Sequence, residues 1–250
     1  MDRQFYVEYY TLEREHWWFR VRGEIIMDRI KELTGGRTDL KILNVGAATG
    51  RTSQILERFG QVTSIEFDQI CFEFVKEKLG IDIHQGSITE IQFEENSYDL
   101  VCAFDVVEHV EDDQKAVEEL VRVCKKDGLV VITVPAFMSL WSHHDVVNHH
   151  FKRYKSAEIR ALFSKTPSAK QYSSYFNFLL FPPIYLFRQL SNMLQKSWTR
   201  KGAGSDATAG QSGKFAGSIL FGVFNIERSL MKMGFKWPFG VSYLHAVKKK

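Results

Sequence analysis

The spacing of apolar residues changes character along the chain. In residues 24–33 it is helical, with Ile25, Ile26, Ile30 and Leu33 on one stripe. Residues 3–34 therefore read as a helical segment, ended by Gly35-Gly36. From residue 41 short continuous apolar runs take over. Strands are expected at 41–45, 62–66, 81–84, 98–104 and 129–134, with helices at 51–60, 69–79 and 111–126. In the last helix Val117, Leu120, Val121 and Cys124 face inward. Apolar strands alternating with helices predict a parallel sheet covered on both faces, joined by right-handed crossovers.

After Pro135 the pattern loosens. Residues 137–155 read as a loop rich in His and aromatics. Residues 156–164 read as a helix with Ser156 as N-cap and Glu158 in its first turn. A strand is expected at 170–177, an apolar then basic stretch at 178–197, and a flexible linker at 202–213. Residues 215–233 put Phe215, Ile219, Val223, Ile226 and Leu230 on one helical face, and 240–247 reads as a final strand.

Composition narrows the class. With 250 residues, 44% hydrophobic and 25% charged, the chain is neither disordered, collagenous nor a multi-spanning membrane protein. The net charge of +3 hides an asymmetry. Residues 1–158 carry 19 Lys/Arg and 28 Asp/Glu, a net of −9, whereas residues 159–250 carry 14 Lys/Arg and only Asp206 and Glu227, a net of +12. Cys71, Cys102 and Cys124 form no CxxC pair and no disulfide framework, which points to a reducing, cytoplasmic compartment. The charged N-terminus does not read as a signal peptide. The longest uncharged stretch, 171–187, is interrupted by Pro182-Pro183 and is short for a spanning helix.

The strongest chemical signal is N-V-G-A-A-T-G at 44–50, between the first strand and the first core helix. Backbone amides and a helix N-terminus meet there, at the strand ends where open α/β sheets bind ligands. Small residues fall at the first, third and fifth positions, Gly46, Ala48 and Gly50. A dinucleotide fingerprint needs a sixth-position Gly, and Arg51 stands there. Glu66, at the end of the second strand, is suited to accept hydrogen bonds from both hydroxyls of a ribose.

With these residues in place, the chain resembles the class I S-adenosylmethionine-dependent methyltransferases, and among them the branch that includes ubiquinone-biosynthesis-like enzymes. The resemblance covers about residues 38–136. It rests on L-N-V-G-A-A-T-G, S-I-E-F-D (64–68), Q-G-S-I (85–88), Y-D-L-V-C-A-F-D-V-V-E-H-V (98–110) and E-L-V-R-V-C-K-K-D-G-L-V-V-I-T-V-P (119–135) in order. It implies a Rossmann-like, doubly wound, seven-stranded, mostly parallel α/β sheet with an antiparallel last strand. The expected organisation is one domain: a helical cap at 1–37, a core at 38–177 and 237–250, and a helical insertion at 178–236. The resemblance also implies S-adenosyl-L-methionine as cofactor. Asn44, Gly46, Ala47, Ala48 and Gly50 would lie under its methionine part and adenosine, and Glu66 would hold the ribose. Phe67 would pack on the adenine, Ser87 and Ile88 would line the adenine edge, and Phe104, Asp105 and Val106 would face the methionine part. The chain departs from the family in having Asn44 for an acid, Ala48 for Gly and Ser87 for Asp.

Transfer of a methyl group from a sulfonium requires an acceptor held in line and a destination for its proton. His109, just after the fourth strand, is the candidate base. The H-H-D-V-V-N-H-H run at 143–150 follows the fifth strand on the ligand side, which makes His143, His144 and His149 candidate acceptor contacts. Arg153 would add an anion contact and Tyr154 an aromatic wall. His144, Asp145 and His149 could also be metal ligands, but a loop with no cysteine pair leads us to expect no metal. Trp17, Trp18 and Phe19 are either core or a lid, and neighbouring Arg20 and Arg22 favour a lid, with Trp18 and Arg22 reaching the acceptor. The acceptor is expected to be a small molecule or a lipid- or glycan-linked one. The basic, apolar segment at 175–233 suggests contact with an anionic membrane surface, peripheral rather than spanning. Nucleic acid is not expected, because the cations interleave with aliphatics. A non-catalytic cofactor-binding protein on the same scaffold is an alternative, as is a nucleotide-cofactor oxidoreductase, against which the glycine spacing argues.

Overall fold

The computed structural model describes residues 3–194 and 214–250. Its centre is a seven-stranded sheet of β1 (Leu40–Val45), β2 (Gly60–Glu66), β3 (Ile83–Gln85), β4 (Tyr98–Phe104), β5 (Cys124–Pro135), β6 (Ser168–Phe176) and β7 (Ser242–Lys249). The spatial order is β3-β2-β1-β4-β5-β7-β6. The first five strands are parallel, and β7 runs antiparallel to both β5 and β6. The expected α/β sheet with an antiparallel last strand is therefore present. The order reverses between β1 and β4, which opens a crevice at their carboxyl ends.

Nine helices flank the sheet among the described residues: α1 (Arg3–Glu15), α2 (Trp17–Leu33), α3 (Arg51–Leu56), α4 (Gln69–Leu79), α5 (Asp113–Val123), α6 (His143–Val147), α7 (Ser156–Ser164), α8 (Phe181–Leu194) and α9 (Lys214–Lys232). Strand alternation sorts the core into two layers. Leu43, Val45, Val101 and Ala103 pack with Val117, Leu120 and Val121 of α5 and Ile159 of α7. Ile42, Leu100, Cys102 and Phe104 pack on the other face with Ile25, Ile26 and Ile30 of α2 and Phe224 of α9. All three cysteines are buried and free.

The N-terminal segment, expected as one helix over 3–34, is two. His16 adopts an extended conformation and its ring accepts from the Trp18 amide, capping α2. The 156–164 helix is capped one residue earlier than expected. The Glu158 carboxylate reaches back to the Lys155 amide at 2.6 Å, which makes Lys155 the N-cap, while the Ser156 amide donates to the Tyr175 hydroxyl. Within the expected 137–155 loop, α6 forms because the Asp145 carboxylate accepts from the Ser142 amide at 2.8 Å.

The charge asymmetry is partly resolved within the molecule. Arg228 of α9 bonds Asp28 at 2.6 Å and Glu24 at 3.1 Å on α2, and Lys232 also faces Asp28. Lys248 pairs with Asp127. Arg188 of α8 is buried and donates to the Leu140 carbonyl. Glu227, one of the two acids of the basic part, is fully buried and accepts from the Phe178 and Leu179 amides, pinning the start of α8 to α9. Several cations that suggested an anionic partner thus have acidic or backbone partners within the chain. The 202–213 linker and Lys196, Arg200 and Lys201 lie outside the described residues.

Candidate functional site

The loop after β1 turns because Gly46 and Gly50 adopt φ of +74° and +80°. A Cβ at Gly46 would lie 2.4 Å from Val106 Cγ2, so this glycine keeps the loop against the β4 end. The Gly46 and Ala47 amides both donate to the Ile65 carbonyl, tying the loop to β2. Ala48 also takes a positive φ, +46°, a conformation the methyl group disfavours. Its amide donates to Glu66 Oε2 at 2.9 Å, and the Asp68 amide donates to Glu66 Oε1 at 3.0 Å. Glu66 is thereby fixed at the β2 end with lone pairs to spare. Burial pushes its pKa up, opposed by those two backbone bonds. Phe67 beside it is 74% exposed, a free aromatic face at the crevice.

Asn44 is buried beneath the loop and donates to Ser53 Oγ at 2.9 Å, which leaves its Oδ1 without a hydrogen-bond partner. Ser87 caps its own turn, accepting from the Thr89 amide. Ile88 and Phe104 have their side chains in the core, so only their backbones can reach the crevice. A cradle that a Cβ would fill, an oriented carboxylate and an exposed aromatic fit an adenosine-bearing cofactor, with Ala48 as the tight point.

Residues not singled out from the sequence close this crevice. α1 lies over the loop: Tyr6 packs with Ala47, Cys71 and Phe74. Glu13 accepts from Thr49 Oγ1, and Arg14 donates to the Thr49 carbonyl and to Gln54. Burial lifts Glu13 to about 6, opposed by its Thr49 bond. A helical pattern in α1 was legible, but nothing local in it tells which face meets Thr49.

Next to the crevice is a cavity of 480 Å³. Asp105 lines it, takes φ +57°, and immediately precedes Val106 under Gly46. Arg22 Nη2 holds Asp105 at 2.6 Å and Thr133 at 3.0 Å, and Thr133 donates to Asp105 at 2.9 Å. Trp17, Trp18 and Phe19 form one wall, so the aromatic cluster covers a cavity as well as packing on the core. Leu180, Ile184 and Phe187 form another, and Glu108, His109, His144, His150 and Arg153 a third.

Of the expected acceptor contacts, Trp18, His144 and Arg153 line the cavity, and Arg22 stands behind Asp105. His143 and His149 do not line it, because the short α6 turns them elsewhere; His149 ends that turn at φ +56°, exposed. Tyr154 is 1% exposed, and its hydroxyl bonds the Val107 carbonyl and Asp113, so it is a core residue and not a cavity wall. His150, not singled out before, takes the place expected of His149. His109 is reached by solvent through the cavity but walled by protein on most sides. That burial and neighbouring His150 lower its pKa to about 4, a poor match for a base at neutral pH.

Residues 43–132 match the family model described as methyltransferase domain. A Mycolicibacterium smegmatis protein, provisionally named an S-adenosylmethionine-dependent methyltransferase, is 25% identical over 155 residues, 60% of this chain and 59% of that one. A Staphylococcus aureus demethylmenaquinone methyltransferase is 30% identical over 128 residues, 46% of this chain and 53% of that one. The chain thus spans between half and three-fifths of these relatives' lengths. Among solved structures, a Galdieria sulphuraria protein provisionally named a sarcosine dimethylglycine methyltransferase superposes with TM-score 0.61 at 17% identity, covering 92% of this chain and 84% of that one. At that identity the likeness is one of fold.

Proposed function

We propose that the chain is a class I S-adenosylmethionine-dependent methyltransferase that transfers a methyl group to an acceptor bound in the 480 Å³ cavity, a reading supported by the match of residues 43–132 to the methyltransferase domain model. The observation that carries the reading is the junction at Asp105-Val106: Val106 underlies the cofactor loop while Asp105 lines the cavity. S-adenosylmethionine, when bound, supplies an activated methyl on a sulfonium. Glu66 accepts the ribose hydroxyls, Phe67 covers the adenine, and Asn44, Gly46, Ala47 and Ala48 bring backbone close to the methionine part. Arg22 keeps Asp105 oriented at the junction. Trp17, Trp18 and Phe19 exclude water over the reacting atoms.

The acceptor is proposed to be a small or lipid-linked molecule with a substantial apolar part. Support comes from α8, where Leu186, Phe187, Leu190 and Met193 are each more than half exposed. Phe187 also lines the cavity, so this apolar stripe leads into it. No described helix is long and apolar enough to cross a membrane. The stripe suits an acceptor presented at a bilayer surface. Incubation with labelled S-adenosylmethionine and cell extract, split into lipid and aqueous pools, tests this. Label is expected in the lipid pool; label confined to water-soluble products would refute the apolar acceptor, and none anywhere would refute the transfer.

A further inference from the structure

One feature of the cavity is not used by the cofactor or by any acceptor contact described above. Glu108 is fully buried on the cavity wall, and neither of its carboxylate oxygens has a hydrogen-bond partner on another described residue. A buried carboxyl group with neither oxygen partnered is uncommon in a folded protein and calls for a partner. His109 and His150 stand beside it. One ligand atom from each of the three residues lies within 4.8 Å of the others, and the two imidazole rings meet at 4.6 Å and 89°.

The His150 imidazole is oriented from behind. His150 Nδ1 bonds Asp145 Oδ1 at 2.9 Å, and Asp145 is itself held by Arg153 at 2.8 Å and the Ser142 amide at 2.8 Å. The His150 ring therefore has one nitrogen committed to a protein partner and one left over. This is how proteins set the tautomer of a metal-bound histidine. The Phe151 amide donates to the Glu108 carbonyl at 2.8 Å and locks the two segments in register. The cluster is thus built from two loops, has an orienting shell behind His150, and contains a buried carboxyl group whose oxygens have no hydrogen-bond partner.

We propose that Glu108, His109 and His150 bind a divalent first-row transition metal, best matched by Zn²⁺, on the wall of the acceptor cavity. Two imidazoles and one carboxylate are the donor set of such ions, whereas Mg²⁺ and Ca²⁺ prefer oxygen alone. Three protein ligands leave a coordination position open towards the cavity. The metal site stands on its own geometry; only its role rests on the reading of the cavity as the acceptor site. In that role the ion takes an acceptor hydroxyl and the hydroxyl proton leaves to bulk water. The oxygen lone pair then forms the bond to the sulfonium methyl carbon, and the breaking carbon–sulfur bond leaves its pair on sulfur. No histidine need act as base.

The test is titration of untagged, chelator-treated protein with Co²⁺, followed by its visible absorption, and with Zn²⁺ by competition against a chromophoric chelator. One equivalent is expected to bind with micromolar or tighter affinity. His150→Ala and Glu108→Gln should each weaken it at least about 100-fold, and Asp145→Asn about 10- to 100-fold, in line with loss of an orienting partner. His143→Ala should leave it unchanged. S-adenosylmethionine binding by calorimetry, measured on the same variants, reports folding and keeps this result separate from the methyltransferase reading. Less than a tenth of an equivalent bound at 100 µM metal (about a hundredfold above the expected dissociation constant), or variants that bind within threefold of the parent, would overturn the proposal even if the protein methylates.

Discussion

Replacing Glu66 by Ala isolates the cofactor reading. In the structure this carboxylate, at the end of β2, accepts the Ala48 and Asp68 amides at 2.9 and 3.0 Å. Two ribose hydroxyls donating to it are worth about 1.5–3 kcal/mol each, as hydrogen bonds to a charged group. Their loss, partly made up by water entering the space, should weaken S-adenosylmethionine binding about 100-fold or more, since each 1.4 kcal/mol is tenfold. Folding is affected in opposite senses. Two backbone amides lose an acceptor, but a carboxylate whose ionised form is disfavoured by burial is removed. The melting temperature of the unliganded protein should therefore move by no more than about 4 °C, the equivalent of about 1 kcal/mol at this size. Glu66→Gln, which keeps one acceptor, should fall between parent and Ala. Calorimetric titration with the cofactor decides it. A loss below about fivefold in a folded Glu66→Ala protein would show that the ribose is held elsewhere.

Other outcomes follow from the same geometry. Gly46→Ala places a methyl 2.4 Å from Val106 at φ +74°, so it should cost about 1–3 kcal/mol of stability and most cofactor binding; an unchanged urea midpoint would contradict the close approach. Burial raises Glu13 from 4.5 to about 6, so the native state holds this proton more tightly than the unfolded chain does. Its contribution to stability is then greatest below about pH 4.5 and falls by about 2 kcal/mol as pH rises through 6, and Glu13→Gln should remove that slope in a pH series of urea melts. Burial disfavours the Asp145 charge, but the His150 bond and the Arg153 pair hold this carboxyl well below the usual range. Its stabilisation is present above about pH 4 and lost below, and Asp145→Asn at pH 7 should cost about 3–5 kcal/mol by leaving Arg153 buried without its anion, read as a lowered melting temperature.

What could be read from the sequence was local. Gly46, Gly50 and Glu66 announce themselves because a tight loop needs positive φ and an acid at the end of the next strand, paired with that loop, is suited to ribose hydroxyls. The β1–β5 strands and their helices follow from period, with boundaries off by a few residues where a cap decided them, as His16 and Glu158 do. The cavity was only partly legible. Only part of the histidine-rich run lines the cavity: a five-residue helix and the turn that follows it place His144 and His150 on the wall rather than His143 and His149, and no periodicity reveals that. Tyr154 looked like a wall and is core because Asp113, 41 residues away, takes its hydroxyl. The charge split suggested an external partner, and the contact that neutralises part of it joins Arg228 to Glu24 and Asp28, some 200 residues apart.

The geometry of the Asp105-Val106 junction stands or falls with methyl transfer there. It is measured most directly by formation of S-adenosylhomocysteine by the purified protein, supplied with S-adenosylmethionine and the lipid and aqueous fractions of a cell extract, against the same reaction with Glu66→Ala. Turnover that requires the extract and falls at least about 100-fold in the variant at sub-saturating cofactor is expected. Tight cofactor binding with no S-adenosylhomocysteine above the extract-free blank, from any lipid or aqueous fraction, would contradict it and leave the chain a binding protein on a methyltransferase scaffold.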